Sequence, residues 1–285
     1  MNERFTRFAA IDWSGAKGCK HKGIAVALCS NGAAAPVLVA PPASVWSRSA
    51  VADWIIAQAD KPTLIGMDFS FSAPWIKRLA YLPGSDAPDT ARAFWRWIDT
   101  LCDDEDLGAA SLIEQHQRSH FYLGAADGAK ADFLHWRACE DAYNARSGGK
   151  ASTVYDAIGA AQVAKASFAG MRLLNRVAPQ ISVWPFDTRA AHGAQLVEIY
   201  TTIAARAAGV PKGRSKLRGA AALDAALAQL GCEPHVPFER YDDHATDAIL
   251  TAAWLRINAT KEGLWHPEAM TPRIAQTEGW TFGIL

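Results

Sequence analysis

The chain of 285 residues lacks most of the marks by which a protein is quickly sorted. No run approaches the roughly 20 consecutive apolar residues that a membrane-spanning helix requires, so no membrane partner is expected. The opening segment, MNERFTRFAAIDW, has no apolar stretch of signal-peptide length. The five cysteines, Cys19, Cys29, Cys102, Cys139 and Cys232, form no Cys-x-x-Cys pair. An odd, scattered set reads as reduced thiols that serve packing, and with the other absences it predicts a soluble cytoplasmic protein. There is no G-x-x-x-x-G-K-[ST] loop, no G-x-G-x-x-G and no G-x-S-x-G elbow, which sets aside the commonest phosphate-loop, dinucleotide and serine-hydrolase signatures. Neither sign of charge is in excess: 29 basic residues balance 29 acidic ones. A protein that coats nucleic acid through its overall field is basic, so bulk coating is excluded while a local groove is not.

What is present is apolar patterning. Half of the residues are apolar, enough for a substantial core, and the length suits one domain, residues 1–285, carrying an insertion. Residues 6–12 (TRFAAID), 22–29 (KGIAVALC) and 35–40 (APVLVA) are short apolar runs with short connections, the second and third separated by an Asn31-Gly32 turn; they read as an antiparallel meander. Residues 43–60 carry helical spacing, with Ser44 as the predicted N-cap and Lys61-Pro62 as the stop. The next run, TLIGMDFSF, is reached through that helix and so is expected to lie parallel to a strand of the same sheet. Residues 73–178 are Ala- and Trp-rich and read as a mainly helical insertion with loops, loosened near 147–149. Two further strands are predicted at 181–186 (ISVWPF) and 196–200 (LVEIY), and two helices at 214–230 and 243–258, the last with Asp242 as N-cap. The final stretch, TPRIAQTEGWTFGIL, is expected along a sheet edge. The fold class is therefore α/β.

Several acids stand out against this background. Asp12 ends the first run and Asp68 nearly ends the fourth. If the helix between them crosses back beside strand one, both carboxylates project from the carboxyl ends of neighbouring parallel strands, where open α/β sheets place their sites. Either Asp alone is as readily a loop cap. A pair on adjacent buried strands is costly unless paired or metal-bound. In DDHATDAILTAAWLR the spacing sets Asp243, His244 and Asp247 on one face of the first helical turns. Complementation of the helix dipole explains Asp243 well and Asp247, deeper in the helix, less well. Glu198 is flanked by Val197 and Ile199 and faces either inward or outward. From Arg206 to Arg218 there are five basic residues and no acid; the ordinary reading is a solvated face, and Lys216 and Arg218 are the better phosphate candidates if a helix starts near Gly213. Lys17, in the glycine-containing DWSGAKG segment after strand one, is a weaker phosphate candidate.

An Asp closing the first strand of a meander, an acid on the fourth strand and a His-x-x-Asp on a late helix together resemble the ribonuclease-H-like superfamily. His244-Ala245-Thr246-Asp247-Ala248 is similar to the corresponding helix of RuvC-like resolvases. Over nearly its full length the chain resembles a bacterial domain-of-unknown-function family of predicted RNase H-like nucleases, through AAIDWSGAKG, LIGMDFSFS, GAAQVAKASFAGMRLL, VWPFD, VEIYTT, DDHATDA and EGWTFGI. The resemblance implies a five-stranded mixed sheet with flanking helices. It also implies that Asp12, Asp68, Asp243 and Asp247 stand at metal-binding positions, with His244 and Glu198 nearby.

The expected chemistry is phosphodiester hydrolysis on a nucleic acid, DNA or RNA left open. Two Mg²⁺ or Mn²⁺ ions roughly 4 Å apart are expected, bridged by Asp12 and held by Asp68 and Asp247. Asp243 or His244 completes the site or relays protons, and Lys216 and Arg218 hold phosphates. Two rival readings use the same residues. One is an actin-like ATP-dependent phosphotransferase, with DWSGAKG as its phosphate loop. The other is a non-catalytic binding module that keeps the acids for stability.

Overall fold

The structure, a computed structural model, describes residues 4–147, 150–158, 163–211 and 217–285. Three strands open the chain, β1 (Arg7–Asp12), β2 (Ala25–Ser30) and β3 (Val37–Leu38), joined as the antiparallel meander that the runs predict. Helix α1 (Arg48–Ile56) then returns the chain to β4 (Thr63–Met67), which lies beside β1 and parallel to it. The α1 helix begins later than the spacing predicts. Trp46 is held in an extended bridge with His21, so the N-cap passes from Ser44 to Ser47, whose side chain accepts from Ala50 N at 3.0 Å.

Helices α2 (Ala91–Leu101), α3 (Ala138–Ser147) and α4 (Val163–Val177) follow, with a π-turn and three short 3₁₀ turns between α2 and α3. The sheet resumes with β5 (Ser182–Val183) and β6 (Gln195–Glu198), and the chain finishes through α5 (Thr201–Ala207), α6 (Ala220–Gln229), α7 (Asp243–Asn258), α8 (Glu262–Trp265) and α9 (Pro272–Thr277). The strand order is β3-β2-β1-β4-β6-β5, a mixed sheet of six strands rather than five. The sixth is the two-residue β5. Its ladder stops after Trp184 N bonds Leu196 O, because the next residue, Pro185, has no N–H to offer. The C-terminal segment closes along β6 as expected, through a bridge of Thr281 with Glu198. The predicted start of the helix at 214–230 lies outside the described residues; α6 itself begins at Ala220. Among the described residues no helix is long and apolar enough to cross a membrane.

Strand alternation divides the core into two layers. Phe8 and Ala10 of β1, Leu64 of β4 and Val197 of β6 pack under α5, α6 and α7. Ala9 and Ile11, Ile65 and Met67, and Leu196 pack under α1, α2 and α4. The period of two then decides which side each later residue takes. Asp12 and Asp68 continue the α7 side, and Glu198 continues the opposite side.

Helix α4, which the sequence assigns to the insertion, forms part of the second layer and reaches the carboxyl ends of β1 and β4. Two glycines allow this approach. A Cβ on Gly15 would lie 2.3 Å from the backbone nitrogen of Ala166, and one on Gly170 would lie 2.3 Å from the Phe69 ring. Trp13 Nε1 donates to Ala166 O at 3.0 Å, and Ser70 N donates to Ser167 Oγ at 3.2 Å.

A fully buried ion cluster ties the remaining segments to the sheet. Arg137 donates to Glu198 through Nη1 at 2.8 Å and Nη2 at 2.5 Å, to Glu140 through Nε at 3.0 Å, and to the carbonyl of Glu278 at 3.1 Å. The Glu278 carboxylate accepts from the backbone of Trp75, Ile76 and Ala138 at 2.6, 2.8 and 2.7 Å.

Two stability outcomes follow. Arg137→Met leaves Glu140 and Glu198 buried without their cation and is expected to cost about 3–5 kcal/mol in urea unfolding. Gly15→Ala forces a Cβ against rigid helix backbone and is expected to cost about 1–3 kcal/mol. A cost below ~0.5 kcal/mol for Gly15→Ala would show that the loop after β1 is free to move away from α4.

Candidate functional site

Asp12 and Asp68 are brought together by register. Ile11 and Met67 are partners across the parallel β1–β4 pair, and Asp68 N donates to Ile11 O at 3.1 Å, so the two aspartates stand level at the strand ends. Neighbouring strands are about 4.8 Å apart. Both side chains take the α7 side. Helix α7 starts there because Asp242 caps it, accepting from Ala245 N at 3.0 Å, and its first turns carry His244 and Asp247 over β1. The N-cap is the one the sequence indicates.

Burial raises the Asp68 carboxyl well above the usual range, and the negative charges of Asp12 and Asp247 raise it further, against a hydrogen bond from Thr201 Oγ1 at 3.3 Å. Burial also raises Asp12, which is only 8% exposed, while His244 opposes that shift. His244 Nδ1 lies 3.4 Å from Asp12 Oδ1, and this contact raises the imidazole above its ordinary value. Three carboxylates from β1, β4 and α7 thus share one end of the sheet, with one titratable cation beside them.

The other sequence candidates are placed differently. Asp243 is met by Arg218, with Nη2 3.3 Å from Oδ1, and its negative charge also raises the Asp12 carboxyl. Glu198 is not part of the group. Alternation turns it to the opposite face, where its oxygens are held by Arg137, by Phe71 N at 2.7 Å and by Thr281 Oγ1 at 2.5 Å. Lys17 is held away from the acids by Glu114, 2.7 Å from Nζ, and Lys165 takes the second oxygen of Glu114 at 2.6 Å. Lys216 lies outside the described residues, as do Lys212 and Arg214.

Residues with no sequence signal shape the site. Arg48, 1% exposed, donates to the carbonyls of Ser14 (2.9 Å) and Ala16 (2.5 Å) and so pins the loop after Asp12. Asp106 in turn accepts from Arg48 N at 2.7 Å and from Ser49 N at 2.8 Å, and its Oδ2 lies 3.1 Å from His21 Nε2. His116 and His120 stand four residues apart, a spacing that on an α-helix sets two rings on one face. Here the chain passes from a π-turn to a 3₁₀ turn between them, and His116 pairs with Asp103 at 3.2 Å.

The donors suit a hard divalent cation in kind, since all three are carboxylates. Among the described residues, no three His, Cys, Asp or Glu side chains already converge as metal ligands, so the acids stand as neighbours rather than as a closed cage.

The shift at Asp68 has a testable sign. The folded chain holds this proton more tightly than the unfolded chain does. The resulting stability is complete below the unfolded carboxylate value of about 3.9 and is lost as pH rises through the raised folded value. In EDTA, Asp68→Asn is therefore expected to melt with the parent near pH 4 and roughly 2–4 °C above it at pH 8. A variant that melts lower at pH 8 would mean that the Asp68 charge is compensated. No protein-family model, no curated protein and no solved structure matches this chain; its carboxylates and their surroundings stand alone as the basis for a function.

Proposed function

We propose that the chain is an RNase H-like, divalent-cation-dependent nuclease that hydrolyses phosphodiester bonds of a nucleic acid. The observation that carries this reading is the meeting of Asp12, Asp68 and Asp247, from two adjacent parallel strands and the helix packed over them. Strand order supports the fold assignment: an antiparallel meander β3-β2-β1 is continued by parallel β4 and β6.

Asp12, Asp68 and Asp247 would hold Mg²⁺ or Mn²⁺, two ions being the expected number. Bound there, the cations supply an acidified water and neutralise charge on the phosphoryl oxygens. The protein's own groups do the rest. The partly exposed His244 holds a proton at Nδ1 beside Asp12 and can exchange it with solvent. Thr201 Oγ1 donates to Asp68 Oδ2 and keeps that carboxylate directed to the strand end. Arg218, beside Asp243, offers a phosphate contact.

Asp12→Asn is expected to lower Mg²⁺- or Mn²⁺-dependent cleavage of DNA or RNA by at least about 100-fold. The same change should abolish the thermal stabilisation that Mn²⁺ gives the parent. The assay should span single-stranded, duplex and branched substrates. Absence of cleavage of every one of them by the parent protein, with either metal, would overturn the reading.

A further inference from the structure

A cavity of about 300 Å³ opens beside Asp68, between the carboxyl end of the sheet, helices α3 and α4, and Tyr200 just before α5. Its walls include Trp13, Phe69, Tyr143 and Tyr200. These rings are fixed in place. Trp13 is anchored by its bond to Ala166 O at 3.0 Å and packs on Phe69 with ring centroids 5.5 Å apart. Tyr143 and Tyr200 meet edge to face at 5.3 Å. The polar end of the cavity is the Arg137–Glu140 pair, whose guanidinium is already committed to Glu140, Glu198 and the Glu278 carbonyl. Among the described residues that line the cavity, an entering anion would find no uncommitted cation. A flat, neutral, aromatic group with hydrogen-bonding edges would find stacking faces, and the hydroxyls of Ser70 and Ser167 within reach.

Tyr143 and Ile284 also line a second cavity, of about 370 Å³, which carries Arg146 and Arg206. Arg206 donates to the main-chain carbonyl of Val210, and Arg146 to an oxygen of Leu285, the last residue of the sequence. Among the described residues neither forms an ion pair with an Asp or Glu side chain. Aromatic walls followed by two such arginines are the two ingredients of single-strand binding, base stacking and phosphate neutralisation.

We infer that the cavity beside Asp68 receives one unpaired nucleobase, and that the substrate is therefore a single strand, or a strand with an extruded base, whose neighbouring phosphate meets Arg146 and Arg206. The inference rests on the nuclease reading for its orientation, because Asp68 on the cavity wall sets the phosphodiester next to the carboxylates. A base pair within a stacked duplex cannot enter a cavity of this size, and a chain of zero net charge has no overall field with which to grip a duplex.

The test measures binding in Ca²⁺ by fluorescence anisotropy, with three labelled probes of equal length: a mixed-sequence single strand, the same strand made wholly abasic, and a blunt duplex. The single strand is expected to bind at least about fivefold more tightly than the abasic strand. Tyr200→Ala should remove that preference and leave abasic-strand affinity unchanged, whereas Tyr200→Phe should retain it. Arg206→Ala should weaken both single strands alike and lower the salt slope by about one. Equal affinity of the parent for normal and abasic strands overturns the inference and needs no variant to establish. Base-dependent binding without cleavage in Mg²⁺ or Mn²⁺ would sink the nuclease reading and leave the base pocket standing. Cleavage that is indifferent to Tyr200→Ala and to the missing bases would do the reverse.

Discussion

The buried guanidinium of Arg137 is the contact on which the arrangement around the site depends. Placing a charge where only 1% of the residue is exposed is tolerable only when its nitrogens are partnered, and here all three are, by Glu198, Glu140 and the Glu278 carbonyl. Each partner lies on a different part of the chain. Glu198 ends β6, Glu140 is in α3 and Glu278 belongs to the C-terminal segment. Glu198 also accepts from Phe71 N, three residues beyond Asp68. The cluster thus holds the segment after β4, the start of α3 and the chain end in one place, and the cavity beside Asp68 lies above it.

On the other side of Asp12 a second charged clamp does comparable work. Arg48 is buried at the start of α1, and its side chain holds the carbonyls of the loop after β1, while Asp106 caps the helix that carries it. With α4 pressed against Gly15, this leaves the segment after Asp12 little freedom. Both clamps stiffen the frame around the acids, whose own interactions are repulsive. Burial first, and neighbouring negative charge after it, raises the carboxyl groups of Asp12 and Asp68. Proteins keep such clusters where charge serves a ligand, since neutral or apolar residues would otherwise be more stable.

Much of the architecture was legible in the chain. Short apolar runs separated by turn residues predicted the meander, and a run reached through a helix predicted the parallel strand β4. Asp12 and Asp68 could be singled out because an acid at the end of a buried run is expensive, and Asp242 could be read as a cap because an Asp precedes a long helical pattern. The limits were equally physical. ISVWPF looked like a full strand, yet only two of its residues pair. Helix α4 looked like part of an insertion, because nothing in its own residues says that it will cover the same sheet as α1. Arg48 and Asp106 carried no signal at all, and Arg137 none beyond Glu140 three residues on, since their other partners lie between 32 and 141 residues away.

The sequence by itself determined the two periodicities, the rough places of the main strands and helices, and which acids stand near their ends, because these follow from neighbours along the chain. Tertiary structure alone decided which of the acids meet. Glu198 was left open between an inward and an outward orientation. Its register partner Met67 faces the α4 layer, so it turns away from Asp12 and Asp68 and pairs with Arg137. Asp243 pairs with Arg218 while its charge still raises the Asp12 carboxyl, and Lys17 found Glu114. Distance in space between charged groups is set by strand order and layer packing, and neither quantity is written in any single segment of the chain.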